Sequence, residues 1–217
     1  MSEEQTLLEQ DAGVAILTLN RPKKRNALSQ GLRTEIVDRL TDLDNDESVQ
    51  CVILTGTGPV FCAGFDRSEF DGDAMARVFA ESQEYHRRVY TFPKPLIAAI
   101  NGPALGGGCD LAALCDVRVA TESASFGQPQ VRFGAAAAYA LMREILPEGA
   151  AREMCLTGRT YSAQEALRLG LVTGVYEPDA LMQKALEIAS AIASLPDPMA
   201  RTTKQQFVAS QPVLFQP

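Results

Sequence analysis

Two short runs, Cys51-Val52-Ile53-Leu54-Thr55 and Leu96-Ile97-Ala98-Ala99-Ile100, are apolar at nearly every position, and they constrain the fold more than any other feature of the chain. Unbroken apolar runs of this length suit strands buried on both faces. Between and around them the apolar period changes to that of a helix. Leu32, Ile36, Val37, Leu40 and Leu43 recur at helical spacing behind Ser29, whose hydroxyl can cap the first turn. A second helix is expected from Asp73 to Tyr90, stopped by Pro93-Lys94-Pro95. A third unit follows, with a short helix near Gly108 to Leu114, a strand Val117 to Ala120 and a further short strand at Ser125-Phe126.

Upstream, Leu7 to Gln10 and Val14 to Asn20 flank Asp11-Ala12-Gly13, which reads as a hairpin with a three-residue turn. From Ala135 the pattern becomes mostly helical: Ala135 to Leu146, Gly149 to Leu156, Ser162 to Leu169, a strand Val172 to Tyr176, then Asp179 to Ala193 and Asp197 to Ala209. Strand and helix units first, helices last, predict an α/β fold with a helical C-terminal region.

The chain has 217 residues, 46% hydrophobic and 22% charged, enough to bury one full core. A net charge of −7 provides no basic field for a nucleic-acid backbone or an anionic membrane. The local exception is Arg21, Lys23, Lys24 and Arg25, which is either a solvated turn or a small site for a phosphorylated ligand. Five cysteines without a C-x-x-C pair fit a reduced compartment, and one histidine leaves no ligand cluster for a metal. The acidic start Met1-Ser2-Glu3-Glu4 carries no apolar signal region, and no run is long enough to span a bilayer, so the chain is expected to be cytoplasmic.

Two glycine-bearing segments carry the chemistry: Phe61-Cys62-Ala63-Gly64-Phe65-Asp66 and Asn101-Gly102-Pro103-Ala104-Leu105-Gly106-Gly107-Gly108-Cys109-Asp110. Each follows a strand-like run and precedes helix-like sequence. Glycine permits close approach to the main chain, and N–H groups at a helix start are unpaired and lie at the positive end of its dipole. Two such groups converging make an oxyanion hole.

On these motifs, together with Leu19-Asn20-Arg21-Pro22, Asn26-Ala27-Leu28, Cys115-Asp116, Phe126-Gly127-Gln128-Pro129 and Leu156-Thr157-Gly158, the chain resembles the crotonase superfamily, also called the enoyl-CoA hydratase/isomerase family. The resemblance runs from about Val14 to Val175. It implies a crotonase-like spiral of repeated ββα units, a homotrimer or dimer of trimers, and acyl-CoA thioester substrates, with coenzyme A entering as part of the substrate and no separate cofactor. It places the oxyanion donors on the backbone N–H of Phe65 and Gly107. It puts the acyl-CoA along Arg25, Ala27, Leu28, Ala63, Asp66 and Gly106, with the basic run meeting the phosphates. The core is expected over residues 1–195, with 196–217 forming a C-terminal helical segment and tail shorter than usual for the family.

The chain departs from the family where proton transfer would occur. Resembling hydratases carry two glutamates at the positions of Asp110 and Gln130. Asp110 keeps a carboxylate that can serve as a base, one methylene shorter; a neutral amide at Gln130 can hold a water or a carbonyl but exchanges no proton. Resembling dienoyl-CoA isomerases have Asp where Asp110 stands, but also a Glu at the position of Gln130 and an Asp at that of Ala138, neither of which is present here. Tyr139, Arg132, Glu81, Glu84 and His86 are the polar candidates for a second group, although Glu81 and Glu84 read most simply as solvated helix residues and His86 as a packed or surface one. Cys62 and Cys109 read as packing residues. Two functional classes stay open, an enoyl-CoA hydratase/isomerase-type enzyme and an acyl-CoA-binding paralogue without turnover. A Ser-His-Asp hydrolase is disfavoured, since the nucleophile turn lacks a serine.

Overall fold

The computed structural model describes residues 4–70, 74–196 and 198–210. In chain order the elements are β1 (Thr6–Asp11), β2 (Val14–Leu19), α1 (Gln30–Asn45), β3 (Cys51–Gly56), α2 (Ala74–Tyr90), β4 (Leu96–Ile100), β5 (Ala104–Leu105), α3 (Gly107–Leu114), β6 (Val117–Thr121) and β7 (Ser125–Gly127). They continue with α4 (Tyr139–Ile145), α5 (Glu148–Thr157), β8 (Thr160–Ser162), α6 (Ala163–Arg168), β9 (Gly174–Tyr176), α7 (Pro178–Ala193) and α8 (Met199–Ser210). The expected helix starts at Asp73 and Asp197, and the tail from Gln211, lie outside the described residues.

Six strands form one sheet in the order β1-β2-β3-β4-β6-β9, and every pair after the β1–β2 hairpin is parallel. Each helical crossover therefore advances the chain in the same direction, so the chain winds as a spiral. A second row runs beside it: Cys62 bridges Ala104, Ala104 pairs with Phe126, and Phe126 with Tyr161, all four buried. Strand, second-row segment, helix is thus the repeating unit, seen in β3, Cys62 and α2, and again in β4, β5 and α3.

The apolar runs are buried on both faces because two cores flank the sheet. Val52 and Leu54 enter the larger core with Leu32, Ile36 and Leu111, while Cys51 and Ile53 face Leu181, Ala185 and Ala189 of α7. The i, i+4 spacing of those three α7 residues gives one narrow stripe against the sheet. Ser29 caps α1 by accepting from Leu32 N. The C-terminal helix α8 is pinned through Lys204, 2% exposed, whose Nζ donates to the Lys94 carbonyl at 3.0 Å and to Asp116 at 2.7 Å.

Three expectations change. The hairpin turn has two residues, not three, since Asp11 pairs with Val14. Ala12 and Gly13 both take positive φ, 47° and 83°, the conformation that matches the twist of the flanking strands. Alanine pays for that conformation sterically, whereas asparagine visits it readily. Ala12→Asn is therefore expected to stabilise the protein by about 0.5–1 kcal/mol, read as a higher thermal midpoint; an unchanged or lower midpoint would count against the strain. The alanine run 135–138 is not helical, because Gly134 turns left-handed at φ 84° and the helix begins only at Tyr139. Alanine's preference for helix is worth under about 1 kcal/mol per residue, too little to override the turn. The strand expected from Val172 begins at Gly174, and β5 and β8 are strands the sequence did not announce.

Candidate active site

The two glycine segments meet. Gly108 lies so close to the second-row segment that a β-carbon on it would stand 2.1 Å from the Cys62 carbonyl oxygen. Gly64 adopts φ 94°, and a β-carbon there would be 2.7 Å from the Leu105 oxygen and 3.3 Å from Gly107 N. No other residue type fits either place, so the main chain around Phe65 rests directly on the N-terminus of α3.

Both ends of this junction hold oriented N–H groups. The first bond inside α3 runs from Asp110 N to Gly106 O, at 3.0 Å, so the N–H of Gly107 precedes the helical ladder. On the other side, Leu28 N donates to Gly64 O at 2.8 Å and Asp66 N donates to Leu28 O at 3.2 Å. In such a parallel bridge the N–H of the residue between, Phe65, points away from Leu28.

The loop is held from outside by charge. Arg21 ion-pairs with Asp66 at 3.0 Å and donates to the Ala27 carbonyl, while Asp66 also accepts from Ser68 N and Oγ. Arg33, 4% exposed and not foreseen, donates to the Leu28 carbonyl at 2.8 Å, pairs with Glu69 and lies 5.4 Å from the centre of the Phe65 ring. Asp66 and Arg21 thus spend their charges on bracing the loop. Lys23, Lys24 and Arg25 remain exposed, and Lys23 and Lys24 border an open cavity of about 860 Å³ also lined by Gln5, Asn20 and Ser29. Arg25 meets the site through its backbone, its carbonyl accepting from Ala63 N at 3.0 Å.

Asp110 sits in the first turn of α3, 3% exposed, and accepts from Gln128 Nε2 at 2.7 Å. Burial raises its pKa from 3.8 to about 7, outweighing the hydrogen bond from Gln128, which lowers it. Gln130 donates in turn to Gln128 Oε1. Gln128, fully buried, is, with Arg33, a residue whose role reading along the chain missed; its burial beside polar partners emerges only when β7 is laid against α3.

A sequence model of the enoyl-CoA hydratase/isomerase family matches residues 9–213, nearly the whole chain. The chain belongs to that family. Among its relatives, the short-chain-enoyl-CoA hydratase of Clostridium acetobutylicum is 39% identical over 212 residues, covering 94% of this chain and 81% of that protein. The 2,3-dehydroadipyl-CoA hydratase of Escherichia coli K12 is 38% identical with the same coverage. The crystal structure of an enoyl-CoA hydratase/isomerase from Xanthobacter autotrophicus Py2 superposes with a TM-score of 0.90 at 35% identity, over 95% of this chain and 80% of that one. The spiral of ββα units with a helical C-terminal region is thus the crotonase fold, as the sequence led one to expect.

In this enoyl-CoA hydratase/isomerase family member the candidates for a second proton group scatter. Glu84 is exposed and paired with Arg87, Glu81 reaches Arg33 at 3.8 Å, Tyr139 lies by Glu148 and Arg152, and Arg132 donates to the Thr157 carbonyl. His86 alone comes near the junction, its ring 6.1 Å from that of Phe65. Burial, with Arg33 nearby, lowers its pKa to about 4, so it is neutral at pH 7. Cys62 donates to the Asn26 carbonyl and Cys109 lies 3.9 Å from the Met142 sulfur; burial pushes the Cys62 thiol up to about 12 and raises that of Cys109, which leaves both unreactive. Among the described residues no group of three His, Cys, Asp or Glu could hold a metal, and no helix is long and apolar enough to cross a membrane.

Proposed function

We propose that the chain acts on acyl-CoA thioesters as an enzyme of the enoyl-CoA hydratase/isomerase type. In this reading the N–H groups of Phe65 and Gly107 hold the thioester oxygen and stabilise the enolate that forms when a proton leaves carbon. Asp110 takes and returns that proton. The observation that carries the reading is the buried carboxylate of Asp110, in the same first helical turn as Gly107, with a pKa near 7 that suits it to both roles. One base suffices to move a proton from one carbon to another, so double-bond isomerisation needs nothing more. Hydration by two carboxylates has no counterpart in a site with an amide at Gln130. The acyl-CoA would lie along Arg25, Ala27, Leu28, Ala63 and Gly106, with Asp66 holding the loop.

The panel that tests this is a set of 2-enoyl-, 3-enoyl- and 2,4-dienoyl-CoA thioesters given to the wild type and to Asp110→Asn. Turnover lost in the variant supports the enzyme. Tight thioester binding without turnover in either favours the second reading, an acyl-CoA-binding paralogue, for which the amide at Gln130 is the supporting observation.

The exposed Lys23 and Lys24 beside the cavity support a place for the phosphates of the CoA moiety. Replacing both by glutamate is expected to raise KM for an acyl-CoA about tenfold or more, with kcat little changed, and the effect should shrink in high salt. An unchanged KM would move the phosphates elsewhere. Phe133 and Leu156, 65% and 80% exposed on adjoining segments, support assembly as a homotrimer or dimer of trimers.

A further inference from the structure

Asp110, Gln128 and Gln130 form one hydrogen-bonded chain with a direction. Gln128 Nε2 donates to Asp110 Oδ1 at 2.7 Å, and Gln130 Nε2 donates to Gln128 Oε1 at 2.5 Å. The direction follows from the first member. An ionised carboxylate can only accept, so Gln128 must turn its NH2 toward Asp110 and its carbonyl toward Gln130. Gln130 must then spend its NH2 on Gln128, which leaves its carbonyl oxygen as the terminal atom. That oxygen is buried and has no hydrogen-bond partner among the described residues, and it lies 3.3 Å from where a β-carbon on Gly106 would stand. An unpartnered buried acceptor costs free energy unless a ligand or water satisfies it.

A neutral carboxyl has an O–H to donate. The favoured arrangement then reverses: Asp110 donates to the Gln128 carbonyl, Gln128 NH2 donates to the Gln130 carbonyl, and the terminal group becomes the Gln130 NH2. Each amide needs only to exchange its two similar ends, so the chain inverts without displacing its neighbours.

We propose that Asp110, Gln128 and Gln130 form a proton-controlled polarity switch, in which Gln130 offers an acceptor to a ligand O–H when Asp110 is ionised and an N–H donor to a ligand oxygen when Asp110 is neutral. Gln128 is the positioning residue that couples the two ends. The ionisable groups facing Asp110 are Cys62 after β3, Tyr85 of α2, Cys109 of α3 and Cys155 of α5. Burial raises the pKa of each, to about 12 for Cys62 and about 11 for Cys155, so all stay neutral around pH 7. From α4 comes the uncharged Met142 sulfur, 3.5 Å from Gln128 Nε2. Asp110 is therefore the member of this set that changes charge near neutrality. The ligand in question rests on the acyl-thioester reading; the switch itself is a property of the free protein.

The test follows the side-chain NH2 signals of Gln128 and Gln130 by NMR in the full chain labelled with 15N-glutamine, from pH 5 to 9, with Gln128→Met and Gln130→Met supplying the assignments. Both amides are expected to titrate with one shared midpoint near 7, and both titrations should vanish in Asp110→Asn. Gln128→Met should silence Gln130 while Asp110 still titrates, with its midpoint moved upward because the carboxylate has lost its donor. A Gln130 signal that ignores pH, or that still titrates in Asp110→Asn or Gln128→Met, overturns the proposal. In uniformly 13C,15N-labelled wild type the two amides are also assigned through their own backbone, so its titration decides even if a variant does not fold. A second arm compares acetoacetyl-CoA, which presents a carbonyl on its acyl chain, with butyryl-CoA, which does not. The preference for acetoacetyl-CoA should grow about tenfold as pH falls from 8 to 6, and a constant preference counts against the switch. If neither thioester binds, the acyl-CoA reading fails and the amide titration still decides the switch.

Discussion

Gly108→Ala is expected to leave a folded protein whose turnover of acyl-CoA is lower by about 10²–10³-fold, the loss that follows removal of one oxyanion donor. The added β-carbon would stand 2.1 Å from the Cys62 oxygen and 2.7 Å from its carbonyl carbon. Both are main-chain atoms, with no flexible side chain to give way. Either the N-terminus of α3 or the segment carrying Phe65 must retreat, which separates the two N–H groups proposed to hold the thioester oxygen. Steady-state kinetics read the loss, while circular dichroism and a cooperative thermal transition establish that the fold survives. Gly149→Ala is the control, because nothing lies within 4 Å of its β-carbon position. Full activity in Gly108→Ala would separate the glycine packing from the function proposed for it.

For Asp110→Asn the expected result is opposite in its two readouts: activity falls by about 10²–10⁴-fold, and stability above neutral pH rises. In the native protein burial holds the proton on Asp110 up to about pH 7, whereas the unfolded chain releases it near 3.8. Between those values the native state binds more protons than the unfolded state, so this group's contribution to stability falls as pH rises from about 4 to about 7 and stays low above. Asparagine keeps the shape, carries no charge to desolvate, and can still meet the Gln128 amide. The variant should therefore gain thermal midpoint over the wild type at pH 8 and gain nothing below pH 4. If Asp110 is the base proposed above, wild-type kcat/KM should rise with pH through about 7 as its carboxyl ionises. A variant with no stability gain at pH 8 would show that Asp110 is better solvated than its burial indicates, and the rising limb of the activity profile should then move to lower pH.

The parts of the molecule legible in the sequence are those whose cause is local. Cys51–Thr55 and Leu96–Ile100 read as buried strands because both faces of the sheet are covered, and the helical stripe after Ser29 is α1 with the cap where expected. The glycine segments were legible as a pair because glycine is required wherever main chain meets main chain, and that need leaves a mark in the residue type itself. Strands of two or three residues, such as β5 and β8, have no periodicity to read. The alanine run 135–138 misled because a weak intrinsic preference yielded to the turn at Gly134.

By itself, then, the sequence determined the winding of strands and helices, the two glycine segments and the presence of a carboxylate at Asp110, since periodicity, backbone freedom and ionisable groups are properties of residues in order. The tertiary structure alone decided what surrounds that carboxylate. Burial lifts the pKa of Asp110, Gln128 reaches it from β7's end, Gln130 joins through Gln128, and Arg33 and Asp66 turn their charges inward to brace the loop. Desolvation and hydrogen-bond direction depend on which distant segments share a volume. Spacing along the chain does not carry that information, and folding supplies it.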